Sequence, residues 1–146
     1  MPIGRVLYVE DNFICSLETC EHLREQGFIV SQVYSAPAAV EAIKRHNHLL
    51  ALVTDIDLGD GDDGFFVGRQ ARAVYPELPV IYVSGTAAHR HAAEGVCGSI
   101  FIAKPFHPQQ VADALNRAIR LKAASRSPQS FGAFSAAAAA FLSALA

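Results

Sequence analysis

Five short apolar runs, Arg5–Val9, Phe28–Tyr34, Leu49–Thr54, Val80–Val83 and Ile100–Ala103, recur along this sequence with enough chain between them to hold a helix each. Each run has the length of a β-strand rather than of a core helix. The segments LLALV and VIYV are apolar throughout, the pattern of strands covered on both faces. Helix signals fill the gaps. The first helix starts near Asn12 or Phe13 and stops at Gly27, a favourable residue for a helix end. The second follows Ser35 as N-cap, with Pro37 just inside, and runs to about His46. A third spans Gly64 to Tyr75 and halts before Pro76. After Pro108, the residues Val111, Ala114, Leu115, Ala118 and Ile119 share one helical face, marking an amphipathic helix that ends near Lys122. Regular alternation of strand and helix predicts an α/β fold, a doubly wound parallel sheet with helices on both sides.

In such sheets ligands bind outside the carboxyl ends of the strands. Glu10 and Asp11 follow the first strand, Asp55 the third and Lys104 the fifth, and Ser84 ends the fourth, so all five should meet at one edge. Carboxylates forced together repel by roughly 4 kcal/mol per pair at 4 Å and an effective dielectric of about 20. A hard divalent cation relieves this, and Mg2+ suits an all-oxygen site that keeps room for water and phosphate. Phosphoryl transfer to a carboxylate needs an in-line nucleophile, a shared metal and a cation for the accumulating charge. Asp55, Mg2+ and Lys104 match those roles. Ser84 adds a hydroxyl able to donate to a phosphoryl oxygen and so to couple the site to the following loop.

Size and charge exclude several other classes. With 146 residues, 51% of them hydrophobic, the chain suits one domain, read as residues 1–122, followed by a Ser/Pro/Gly linker and an Ala-rich helix or tail at 123–146. A net charge of −2 supplies no basic stripe for nucleic acid. Cys15, Cys20 and Cys97 have neither disulfide-framework nor zinc spacing, which fits a reducing cytoplasm. No stretch is long enough to span a bilayer, so no membrane partner is expected.

Read together, V-L-Y-V-E-D at 6–11, L-V-T-D-I-D-L at 52–58 with D-G at 63–64, V-I-Y-V-S-G at 80–85 and F-I-A-K-P-F at 101–106 resemble the receiver domains of two-component response regulators, over roughly residues 3–121. The resemblance implies a flavodoxin-like sheet of order 2-1-3-4-5. By it, Asp55 is the phosphoacceptor, and the metal is held by Asp11, Asp55 and the backbone carbonyl of Asp57, with Glu10 acting mostly through water. Phe101 stands where the family has an aromatic that turns inward when the residue at Ser84 engages the phosphoryl group. Lys104-Pro105 corresponds to the family's cis peptide bond. The implied partners are a sensor histidine kinase or a histidine phosphotransfer protein and a downstream protein target, and the implied chain is a phosphoacceptor rather than a turnover enzyme. Two departures stand out. Asp55 and Gly64 lie nine positions apart, one more than the family's commonest spacing, and Ser84 to Lys104 spans 20 positions, about two fewer than usual, which predicts a curtailed fourth helix.

Two rivals differ in class. D-I-D after an apolar strand also resembles a haloacid-dehalogenase-type phosphatase, although nothing acidic except Asp113 follows Lys104. A phosphorylation-independent interaction module of the same fold is the other. Asp60, Asp62 and Asp63 read as solvated turn residues, and His46, His48, His89 and His91 as surface side chains. Ser127–Ala146 carries no charge. In a helix, its Phe134, Ala138, Phe141, Leu142 and Leu145 form one apolar stripe, which either docks near the short fourth helix of the same molecule or of a second copy, as in a homodimer, or stays a loose tail.

Overall fold

The computed structural model describes residues 4–125. The expected C-terminal stripe therefore lies outside the described residues. Among the described residues ten elements alternate: β1 Arg5–Val9, α1 Phe13–Glu25, β2 Ile29–Val33, α2 Ala36–Arg45, β3 Leu49–Asp55, α3 Gly64–Val74, β4 Val80–Ser84, α4 Ala88–Glu94, β5 Ile100–Ala103 and α5 Pro108–Ser125. The strands form one parallel sheet of order β2-β1-β3-β4-β5, as the resemblance implies.

The continuous apolarity of the central strands now has its reason. Alternate residues of β1, β3 and β4 feed two separate cores. Leu7, Val9, Leu52, Val80 and Tyr82 pack with Ala39 and Ile43 of α2 and with Phe65 and Val67 of α3. Val6, Tyr8, Ala51, Val53, Ile81 and Val83 pack with Cys20 and Leu23 of α1 and with Val111 and Leu115 of α5. A residue on either face of these strands is removed from water, so neither face selects polar side chains.

Helix starts are set by the side chains the sequence supplies for the purpose. Asn12 Oδ1 accepts from the Cys15 amide at 3.2 Å, Ser35 Oγ from Ala38 at 3.2 Å, and Asp63 Oδ1 from Phe66 at 3.0 Å. Asp63, expected as a solvated turn residue, is thus the N-cap of α3, while Asp60 and Asp62 are respectively exposed and exposed. Two helix ends differ from expectation. α3 stops at Val74, with Tyr75 as its cap, and α5 continues to Ser125, because Ala123 and Ala124 prolong a helix readily. α4 is seven residues long, buries none of them and has no side-chain cap, in keeping with the short interval before Lys104.

Candidate functional site

Parallel register decides which strand ends become neighbours. Val9 pairs with Thr54, Asp55 with Val83, and Ser84 with Ala103. Glu10, Asp55, Ser84 and Lys104 consequently emerge on one edge of the sheet. Glu10, Asp11 and Asp55 each offer a carboxylate oxygen within 4.8 Å of the others'. Asp55 is 5% exposed and Glu10 4%, whereas Asp11 is exposed at the rim.

Lys104 reaches into this group from the end of β5. Its Nζ donates to Asp55 Oδ2 at 2.8 Å and to Glu10 Oε1 at 3.0 Å. Burial works against the ammonium, yet the two carboxylates outweigh it and leave the Lys104 pKa above that of an ordinary lysine. Burial first, then the neighbouring Asp55, pushes Glu10 up to about 8 against the pull of Lys104. The other Asp55 oxygen accepts the Asp57 amide at 3.3 Å. The Lys104-Pro105 bond is cis, as the resemblance implies.

Whether a magnesium ion fits can be judged from the donors. The three carboxylates offer only hard oxygen atoms, and Glu10 Oε2 is buried with no hydrogen-bond partner among the described residues. A buried carboxylate oxygen without a donor is costly, and a bound cation or its water shell is the kind of partner that satisfies it. One lysine cannot neutralise three acids, so a divalent ion also balances the charge. The residues present fit the ion.

Ser84 is buried, and its hydroxyl oxygen accepts the amides of Thr86 at 3.1 Å and Ala87 at 3.1 Å. It is brought to the edge beside Asp55 but holds the β4–α4 loop rather than any acid. Its own proton is not committed by those two bonds. Phe101 is half-buried, packed against the core on the α2 and α3 side, with its ring 5.6 Å from that of His91.

Several contributors were not legible as site residues. Thr86 Oγ1 donates to Asp57 Oδ2 at 3.3 Å and so links the loops that follow β3 and β4. Arg90 of α4 bonds Asp63 at 3.1 Å and Glu94, and its guanidinium lies 5.1 Å from the Phe65 ring centre. His91, expected on a solvated face, instead packs edge-on against Tyr82 and bonds Ser99 Oγ at 2.9 Å. Sequence spacing alone carries no signal for contacts made between α4 and elements distant in the chain. Asp113, the one acid after Lys104, accepts from Gln109 within α5 rather than joining the cluster.

The sequence model of the response regulator receiver domain matches residues 6–116. A crystal structure of a response regulator receiver protein from Sinorhizobium medicae superposes with a TM-score of 0.77 at 34% identity, over 80% of this chain and 94% of that one. The receiver domain of the sensor histidine kinase PA1611 from Pseudomonas aeruginosa, crystallised with magnesium coordinated in its active-site cleft, gives a TM-score of 0.67 at 26% identity over 80% and 98% of the two chains. The two-component response regulator PhoP of Pseudomonas aeruginosa is 27% identical over 119 residues, 80% of this chain and 52% of its own length. The sensor protein TorS of Escherichia coli is 34% identical over 85 residues, 58% of this chain and 9% of its own. This chain thus spans about half of one curated relative and a small part of the other. Fold, strand order and an acidic cluster compatible with a phosphoacceptor site agree with the sequence match, and the chain belongs to the response regulator receiver domain family.

Proposed function

We propose that this protein accepts a phosphoryl group on Asp55, with Mg2+, from a sensor histidine kinase or a histidine phosphotransfer protein, and passes the signal on by protein contact. The observation that carries the reading is the position of Lys104 Nζ, 2.8 Å from Asp55 Oδ2 inside a cluster of three acids at the carboxyl edge of the sheet. An Asp55 oxygen attacks phosphorus, a new P–O bond forms, and the bond from phosphorus to the donor's nitrogen breaks. Asp11, Asp55 and the Asp57 carbonyl would hold the ion, with Glu10 completing its surroundings. When bound, Mg2+ supplies charge compensation for the phosphoryl oxygens. Lys104 is already poised to pair with an oxygen of the arriving group.

Ser84 then provides the link to shape. Its free proton is available to a phosphoryl oxygen, while its lone pairs are held by Thr86 and Ala87. Any rotation of the hydroxyl toward the phosphate therefore pulls on the β4–α4 loop, and inward movement of Phe101 would follow. In this reading the chain assists its own phosphorylation and dephosphorylation and is not a turnover enzyme. Occurrence of receiver domains within sensor kinases such as TorS and PA1611 supports a kinase-type donor. The proposed compartment is the cytoplasm. Among the described residues no helix is long and apolar enough to cross a membrane, and all three cysteines are unpaired.

Acetyl phosphate with Mg2+ should add a single phosphate mass to the intact protein, and Asp55→Asn should abolish the addition. Labelling that persists in Asp55→Asn would move the acceptor to Glu10, Asp11 or Asp57. Sustained release of phosphate from a phosphomonoester would instead favour a phosphatase.

A further inference from the structure

Because α4 buries none of its residues, side chains reaching out of it fix its place. Arg90 reaches Asp63 and Phe65 at the start of α3. His91 reaches the sheet. Its ring centre lies 5.7 Å from that of Tyr82 on β4 and 5.6 Å from that of Phe101 on β5, two residues paired in the strand register. One imidazole therefore bridges both rings on the same face of the sheet. The bond between His91 Nε2 and Ser99 Oγ, at 2.9 Å, closes a frame around this aromatic group. Within the frame the Ser99 amide donates to Val96 O at 3.1 Å, and the Val96 amide donates to the Tyr82 hydroxyl at 3.3 Å. The imidazole has room because residue 95 is glycine: a Cβ there would stand 2.6 Å from His91 Cδ2 and 2.8 Å from the His91 carbonyl oxygen. A ring tied through its nitrogen to the α4–β5 connection and packed against two aromatic neighbours does not follow Phe101 when Phe101 turns.

We propose that His91 is a positioning residue for the phosphorylation switch: it holds the Phe101 ring half-buried, where the structure has it, and so sets how readily the site accepts a phosphoryl group. The inference rests on the roles proposed above for Asp55, Ser84 and Phe101. Inward rotation parts Phe101 from His91, and an equilibrium toward the rotated form is opposed by every contact made only before the rotation. The same step takes away a contact that joins α4 to the sheet, while Arg90 still ties the helix to α3. The signal thus leaves the site as a loosening of α4 on its sheet side.

The sequence contains no tryptophan, so Phe101→Trp in the full chain gives a single reporter at the ring itself. In that background, without phosphodonor, His91→Ala should let the indole turn inward, with blue-shifted emission and several-fold weaker acrylamide quenching. A histidine that merely shields the indole predicts the opposite sign, so red-shifted emission and stronger quenching would overturn the proposal. With Phe101 in place, His91→Ala should be labelled by acetyl phosphate and Mg2+ several-fold faster than the parent. His91→Phe, which keeps a ring against Phe101 and Tyr82, should return the rate most of the way. Arg90→Ala, which frees α4 from α3 without touching Phe101, should label at the parental rate. The labelling arm uses the natural Phe101, so it decides the matter if Phe101→Trp fails to fold. Equal labelling of parent and His91→Ala would overturn the proposal, and equal acceleration by Arg90→Ala would overturn it in favour of a general loosening of α4. A parent that takes no label would overturn the reading of Asp55 on which the switch role rests, and the quenching result would still decide whether His91 holds the ring.

Discussion

At Glu10 the fold keeps a carboxyl group in a place that disfavours its charge, and the consequence is measurable. Its pKa is raised to about 8 by burial and by Asp55. Because the folded value lies above the unfolded one, the folded chain retains a proton that the unfolded chain releases between pH ~4.5 and ~8. The stability from this group is fully present at the low end of that window and is lost as pH rises through it. Metal-free urea unfolding from pH 5 to 9 should therefore show a falling contribution that Glu10→Gln removes. His46 runs the other way, since burial first, then Arg5 and Arg45, lower its pKa. Subtracting the Glu10→Gln profile from the parent's cancels that opposing term. A difference profile flat with pH would mean that Glu10 ionises freely. Magnesium should bind more tightly as pH rises, because metal binding must displace the same proton. Asp57 offers a second test at this scale. Its side chain is held by Thr86, at the mouth of the pocket, and it adds negative charge near an incoming phosphoryl group. Asp57→Asn and Thr86→Ala should both change the lifetime of the phosphorylated protein, the first by removing charge and the second by freeing it to move. Identical labelling and decay rates in both would remove Asp57 from the chemistry.

Among the elements, α4 shows where reading a sequence stops short. Its shortness was legible from the interval between Ser84 and Lys104, but the way the structure compensates was not. Tyr82, fully buried on β4, sends its hydroxyl past α3 to accept the Val96 amide at 3.3 Å in the α4–β5 connection. That path exists only because α3 has a glycine there. A Cβ at Gly68 would sit 2.1 Å from the Tyr82 hydroxyl oxygen. A periodicity argument treats Tyr82 as one more apolar strand residue and Gly68 as a weak spot in a helix, since neither residue's partner is near it in sequence. Strand ends, by contrast, were legible to within one residue, β2 ending at Val33, β3 at Asp55 and β4 at Ser84: parallel register converts position in a strand directly into position at the edge, and this placed Glu10, Asp55, Ser84 and Lys104 together. Gly68→Ala should destabilise the protein by about 1–3 kcal/mol through overpacking, and Tyr82→Phe by about 1 kcal/mol through the lost hydrogen bond. Combined, they should cost clearly less than their sum, because loss of the hydroxyl removes the 2.1 Å clash with the new methyl group and leaves only the tight contact with the ring carbon at 3.0 Å. Strict additivity in chemical unfolding would show that α3 shifts to accommodate the methyl group instead.

For the molecule as a whole, the acidic edge sets apparent stability against the availability of metal. Three carboxylates and one ammonium are gathered by elements from β1 to β5, so their mutual repulsion acts against closure of the sheet edge rather than against any single helix. A divalent ion that binds only the folded chain stabilises it by mass action, about 2.7 kcal/mol at a concentration 100 times the dissociation constant. For a domain of this length that amounts to a rise of several degrees in melting temperature. Asp11 is the acid best suited to test the link, because it is exposed at the rim and anchors no core contact. Without metal, Asp11→Ala should be neutral or mildly stabilising, since it removes a like charge from beside Glu10 and Asp55. With Mg2+ it should melt as it does without, while the parent gains. The two arms separate the electrostatic argument from a packing one: a structural role for Asp11 would lower the metal-free melting temperature, whereas a ligand role leaves it intact and erases only the response to magnesium. An Mg2+ response that survives in Asp11→Ala would place the ion away from this edge and undo the assignment of the cluster as its site.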